Sequence, residues 1–129
     1  MKNLILSNAE KINRLHASVH ETFKHRESNE DAQLEWEAAC SEFHAAYDSL
    51  AFPGGADGAL ERITGGDFTA IEAALDFLEC RPSFFRSGYM YKDFMRKLKH
   101  APLKPDQKAR YDVVATKYQE YKSTRKGKA

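Results

Sequence analysis

The apolar residues of this chain recur at intervals of three and four, which is the spacing of one face of an α-helix. In the first stretch they fall within one arc of about 100° around a helix axis. These residues are Ile5, Ile12, Leu15, Val19 and Phe23. No stretch alternates apolar and polar residues over the length of a strand. The pattern therefore predicts an all-α fold.

Turn-forming and helix-breaking residues divide this pattern into segments. The breaks are Glu27-Ser28-Asn29-Glu30, Phe52-Pro53-Gly54-Gly55, Gly65-Gly66, Arg81-Pro82 and the run from Ala101 to Pro105. They predict an irregular bundle of five or six helices. Asn29 or Asp31, Asp67 and Ser83 have the side chains of N-caps, and Pro105 suits the first turn of the last helix.

Two arrangements follow from this division. The first two helices, from about Ser7 to His25 and from the polar turn to about Leu50, are predicted to form an antiparallel αα-hairpin. The helix–turn–helix rhythm after Asp67 is also compatible with a HEAT-like helical pair in the C-terminal half. The last helix is predicted to bury Tyr111, Val114 and Tyr118.

A length of 129 residues fits one domain, and eight Phe, six Tyr and one Trp supply a core. We expect a single helical domain over residues 1–122, followed by a flexible basic tail over residues 123–129. Two cysteines, Cys40 and Cys80, make a poor disulfide framework. The first residues lack a signal-peptide core, and no later run approaches the length of a membrane span. We therefore expect a cytoplasmic protein that does not contact membranes.

Charge is divided unevenly along the chain. Residues 1–80 hold six Lys and Arg against fifteen Asp and Glu, a net charge of −9. Residues 81–129 hold fourteen Lys and Arg against four Asp and Glu, a net charge of +10. Such asymmetry bears on partners and self-docking rather than on fold.

The basic segment includes a candidate binding surface on the predicted fifth helix. Lys92, Arg96 and Lys99 fall within about 60° of one another, Tyr89 lies beside them, and Arg86 extends the positive field. This stripe lies opposite the apolar face, so we expect it to face solvent. It suits an acidic protein surface, self-association through the acidic half of a second copy, or nucleic acid. Alternatively, the protein's own acidic half neutralises it.

Nucleic acid is the less favoured partner. The acidic segment repels a polyanion, and the chain has no helix-turn-helix signature, zinc finger or RNA-recognition motif. The predicted function is therefore that of a small, non-catalytic macromolecule-binding protein of the adaptor, inhibitor or immunity type, with nucleic-acid binding through the same residues as the alternative.

A possible metal site lies on the first two predicted helices. His16 and His20 are one helical turn apart, as are Cys40 and His44. Folding the chain at about residue 28 brings Cys40 level with His16, so four N and S donors can approach the tetrahedral set that zinc prefers. His20 and His44 lie well off the apolar stripe, however. Metal binding is therefore the minority hypothesis, and we predict no cofactor.

Cys80 and Arg86 match the Cys-X5-Arg spacing of cysteine phosphatases. That chemistry needs an open, glycine-rich loop and a lowered thiol pKa. Here Pro82 removes an amide donor, and no glycine lies between the two residues. We interpret the match as chance and expect no catalytic residues.

Overall fold

The computed structural model describes the backbone of residues 1–127 and the side chains of residues 1–125. Over this range the chain forms helices and no strand, so the predicted all-α helical bundle is confirmed. The six helices are α1 (Lys2–His25), α2 (Glu30–Ala51), α3 (Ala59–Thr64), α4 (Phe68–Cys80), α5 (Ser87–Lys99) and α6 (Pro105–Gly127).

Two helices begin at the caps expected from the sequence. The Asn29 side chain accepts a hydrogen bond from the Ala32 N–H at 2.8 Å, and the Asp67 side chain accepts one from the Ala70 N–H at 3.0 Å. Each bond satisfies an amide that has no partner inside the helix, which is worth about 1 kcal/mol.

Three helix ends differ from prediction. α1 begins at Lys2 rather than near Ser7, and its first turns bury Ile5. α5 begins at Ser87 rather than after Ser83; its N-cap is Arg86, and Ser87 Oγ accepts a hydrogen bond from the Phe84 N–H in the preceding turn. α6 continues to Gly127, so residues 123–127, assigned above to the tail, extend the helix. Residues 128–129 lie outside the described residues.

The main core surrounds α4, which contacts α1, α3, α5 and α6. Seven of its thirteen residues are buried, and they are Ala70, Ile71, Ala73, Ala74, Leu75, Phe77 and Leu78. The rings of Phe52 and Phe77 both pack against Phe94, with centroids 4.8 and 5.0 Å away. Burying each such side chain stabilises the fold by about 1.5–3 kcal/mol.

α1 and α2 make the most extensive helix–helix contact, and Ile12, Phe43 and Ala51 form a second buried cluster. Towards the turn between them this contact opens to solvent. There Phe23 is 45% exposed and carries the Arg26 guanidinium 3.6 Å above its ring. The αα-hairpin and the HEAT-like pair remain predictions.

None of the helices in residues 1–127 combines the length and the apolar composition that crossing a membrane requires.

Candidate functional site

The predicted basic stripe lies on the solvent side of α5. Tyr91, Phe94 and Leu98 are buried on the opposite side, where α5 packs against α3, α4 and α6. The helical period of 3.6 residues therefore places the residues of the predicted stripe towards solvent, and all of them are exposed. We call this surface the α5 basic face, and it consists of Arg86, Tyr89, Lys92, Arg96 and Lys99.

Side chains of the α5 basic face make few contacts with the rest of the protein. Tyr89 is 71% exposed. Arg96 Nη2 lies 3.2 Å from Asp93 Oδ1 on its own helix, whereas Lys92 and Lys99 form no ion pair with any described residue. Arg86 precedes the helix in a left-handed conformation (φ 69°), with its guanidinium 5.4 Å from the centroid of the Phe85 ring. The face therefore presents its positive charge to solvent.

The acidic and basic segments of the chain form ion pairs with each other, but these pairs lie between α4 and α6 and not at the α5 basic face. Arg110 of α6 reaches three carboxylates on successive turns of α4. Its Nη1 lies 2.6 Å from Glu72, and its Nη2 lies 2.8 Å from Asp76 and 2.5 Å from Glu79. Lys2 adds a contact of 3.1 Å to Glu79. The Arg110 guanidinium holds the pKa of Glu79 below its usual value, because it donates hydrogen bonds to the charged carboxylate.

The remaining negative charge is concentrated on α2. This helix carries six carboxylates and no Lys or Arg, and all six are exposed. They are Glu30, Asp31, Glu35, Glu37, Glu42 and Asp48. The surface is therefore polarised between an acidic α2 and the α5 basic face.

The His and Cys residues do not form the tetrahedral set that their spacing suggested. The His16 and His20 rings touch with centroids 4.5 Å apart. Among residues 1–125, however, no group of three or more His, Cys, Asp or Glu side chains is placed to hold a metal ion. Cys40 and His44 thus do not complete a site.

His16 instead belongs to an aromatic cluster. Its ring contacts Phe43 and Phe85, at centroid distances of 5.4 and 5.1 Å, and these two rings are themselves 5.9 Å apart. Burial, with a smaller contribution from His20, lowers the pKa of His16. The neutral imidazole acts as one more ring in the packing between α1, α2 and the segment before α5.

The Cys80–Arg86 pair does not have the chemistry of a phosphatase loop. Cys80 ends α4 as a free thiol, and its Sγ donates to the Phe77 carbonyl at 3.9 Å. Burial raises the pKa of this thiol, which is the opposite of what a nucleophile needs. The guanidinium of the exposed Arg86 lies 5.4 Å from the centroid of the Phe85 ring.

Sequence reasoning missed a cavity between the end of α4, the start of α5 and the last turns of α6. Its wall combines tyrosines with Arg81, Lys92 and Arg125. Tyr118 was predicted as a core residue, yet it is only partly buried and lines this space. The clearest local signal was the Arg81-Pro82 break, which marks where the cavity begins.

Comparison of the chain with protein-family models, with curated proteins and with solved structures finds no match. The site described above is therefore interpreted from its own residues.

Proposed function

We propose that this protein is a non-catalytic binding protein that docks an acidic surface of a protein partner through the α5 basic face. The observation that supports this most is the uneven pairing of the cations. Arg110 forms ion pairs with three carboxylates of α4, whereas Lys92 and Lys99 of the α5 basic face form no ion pair with a described residue. Neutralisation within the chain thus leaves this surface positive.

Electrostatics of this kind act mainly on association. Exposed ion pairs contribute only about 0–1 kcal/mol each to stability or affinity. A cluster of like charges nevertheless steers an oppositely charged partner and raises its association rate by a factor of about ten or more at low salt. Tyr89, 71% exposed among the cations, supplies apolar area of the kind found at the centres of interfaces.

The test is a double charge reversal, Arg96→Glu with Lys99→Glu. Both residues are exposed, so the circular dichroism spectrum should not change. At about 50 mM salt the immobilised wild type should retain partner proteins that the immobilised variant does not retain. The wild type should release the same proteins at about 300 mM salt.

A matched control makes the same change in net charge elsewhere. Lys11→Glu with Arg14→Glu alters two exposed residues of α1 that form no ion pair with described residues. This control should retain the partner. Equal retention by the α5 variant and the wild type would refute the proposal, as would equal loss from both double variants.

The acidic surface can also belong to a second copy of the chain, since α2 presents six exposed carboxylates. Light scattering at about 50 mM and about 300 mM salt separates this case from an external partner. A dimer that dissociates with salt and with the α5 reversal would identify the α5 basic face as one side of an interface between two copies. A monomer under both conditions would exclude self-association.

Nucleic acid is the second candidate, and the exposed Tyr89 ring between Lys92 and Arg86 is the observation that favours it. A base stacked on such a ring contributes about 1–3 kcal/mol. A gel shift with single-stranded DNA and RNA at about 50 mM salt tests it, with Tyr89→Ala expected to abolish the shift. Absence of a shift with the wild type would exclude this candidate.

A further inference from the structure

We propose that the cavity between α4, α5 and α6 binds a nucleoside monophosphate. Its volume is about 350 Å³, which is within the range of small-molecule sites. The wall is formed by the segment after α4, the first turn of α5 and the last turns of α6. This site is separate from the docking function proposed above, although Lys92 borders both surfaces.

Only positive charge lines this cavity. Arg81, Lys92 and Arg125 are the charged residues of its wall, and no carboxylate of a described residue forms an ion pair with them. Three like charges around one space repel each other, and an anion between them relieves that repulsion. Phosphate, like carboxylate, accepts paired hydrogen bonds from a guanidinium group.

Tyr91 contributes a hydrogen-bonding group to the wall of the cavity. The residue is 9% exposed and lines the cavity, and its hydroxyl makes no hydrogen bond with a described residue but is open to solvent. By contrast, the hydroxyls of Tyr47 and Tyr111 donate to the carbonyls of Phe85 and Met95 at 2.7 and 3.1 Å. The Tyr91 hydroxyl is therefore free to donate a hydrogen bond to a ligand in the cavity.

The aromatic part of the wall suits a planar base. The Arg81 guanidinium lies 5.1 Å from the Tyr91 ring and 5.0 Å from the Tyr121 ring, and Tyr118 packs 5.5 Å from Tyr91. Arg81 has a left-handed backbone (φ 50°), a conformation in which glycine is the usual residue. The Arg81 guanidinium thus lies near two rings, Tyr91 and Tyr121, and the Arg125 guanidinium lies 5.9 Å from the Tyr121 centroid. The Tyr121 ring is 43% exposed, so a base can stack on the part that the two guanidinium groups leave open.

Gly88 leaves room for the phosphate beside these cations. It lies in the first turn of α5 and lines the cavity, and no atom lies within 4 Å of the position that a Cβ would occupy. The amides of a helix's first turn carry partial positive charge, which adds to the field of Arg81 and Lys92. A side chain at position 88 would enter open space and leave the fold unstrained.

The test is isothermal titration of the full chain with AMP, GMP, CMP and UMP at low salt. At least one should bind with a Kd below about 1 mM. Adenosine lacks the phosphate and inorganic phosphate lacks the base, so each should bind at least about tenfold more weakly than AMP. No binding of any nucleotide at about 10 mM, or equal affinity for inorganic phosphate, would overturn the proposal.

Two variants test the location. Gly88→Leu fills the open space while favouring the helix, and Arg81→Gln removes the central cation; each should weaken nucleotide binding by about tenfold or more. Arg96→Gln removes one charge of the α5 basic face outside the cavity and should leave the Kd within about twofold. Unchanged affinity in Gly88→Leu would place the ligand elsewhere and overturn the inference.

Different variants test the two proposals, so each can be refuted without the other. Arg96→Glu with Lys99→Glu should lose the protein partner and keep the nucleotide, because neither residue lines the cavity. Gly88→Leu should lose the nucleotide and keep the partner. Loss of both ligands in either variant would contradict the separation of the two sites.

Discussion

Replacing Arg110 by Met should destabilise the protein more than any other change of a surface charge. The variant keeps the aliphatic stem and removes the group that bridges Glu72, Asp76 and Glu79. These carboxylates lie on successive turns of one face of α4, so without the guanidinium they repel one another. Lys2 contacts only one of them, Glu79, and is half exposed.

The size of the effect follows from the burial of the cluster. The Arg110 side chain is 29% exposed, and the three carboxylates are between 19% and 26% exposed. Breaking a fully buried pair costs about 3–5 kcal/mol, whereas an exposed pair contributes about 0–1 kcal/mol. The partial burial of this cluster indicates a loss of about 2–3 kcal/mol in the free energy of unfolding. For a chain of this length, that loss lowers Tm by about 6–15 °C.

Urea unfolding followed by circular dichroism measures this loss. Lys108→Met is the matched control on the same helix, since Lys108 pairs with Asp112 at 2.6 Å but both side chains are more than half exposed. The control should lose about 0.5 kcal/mol or less. Adding Asp76→Asn to the Arg110 variant should restore part of the stability. A loss below about 1 kcal/mol for Arg110→Met, similar to that of the control, would refute this account of the cluster.

Acid provides a second readout of the same cluster. Hydrogen bonds from Arg110 lower the pKa of Glu79 in the folded state. The stabilisation is therefore complete above the unfolded pKa of about 4.3 and is lost as pH falls through the lower folded value. Arg110→Met should flatten this acid limb of the stability curve. An unchanged acid limb would mean that the pKa shift has another origin.

The remaining predictions concern packing, capping and a second titration. Phe52→Ala should lose about 3–5 kcal/mol in urea unfolding, because the side chain is fully buried; a loss below about 1 kcal/mol would contradict its place in the core. Asp67→Ala should lose about 1 kcal/mol with its cap, while the exposed Asp57→Ala should change stability by less than about 0.5 kcal/mol. Burial lowers the pKa of His16, so the wild type should lose stability as pH falls below about 6.5, where the unfolded imidazole binds protons first. His16→Phe should reduce that loss of stability between pH 8 and 5. An identical dependence of the free energy of unfolding on pH in both proteins would contradict this role of His16.

Part of the candidate binding surface was predictable from the sequence. Tyr89, Lys92, Arg96 and Lys99 share a face because residues three and four apart are neighbours on any helix. Their exposure follows from the apolar residues Phe94 and Leu98 on the opposite side. The structure keeps this face outward, but which partner it meets remains a proposal.

The minority metal hypothesis depended on the meeting of separate helices. The spacing of His16, His20, Cys40 and His44 allows a shared site only if the rotation of α1 about its axis matches that of α2. Packing set that rotation by burying Ile12 and Phe43, which turned His16 towards aromatic rings instead. No local rule gives the relative rotation of two helices, so only the tertiary structure shows whether these four side chains converge.

The sequence by itself determined the elements: an all-α chain, the breaks between helices, the caps Asn29 and Asp67, and the solvent side of α5. These features rest on contacts within about four residues, which hold in any fold. Only the tertiary structure decided which charges are neutralised and where the cavity lies. Arg110 meets carboxylates 31–38 residues away, and the tyrosine cavity forms where α4, α5 and α6 come together. Such contacts arise because apolar faces pack around α4 and bring distant polar groups together. No sequence periodicity predicts which polar groups these are.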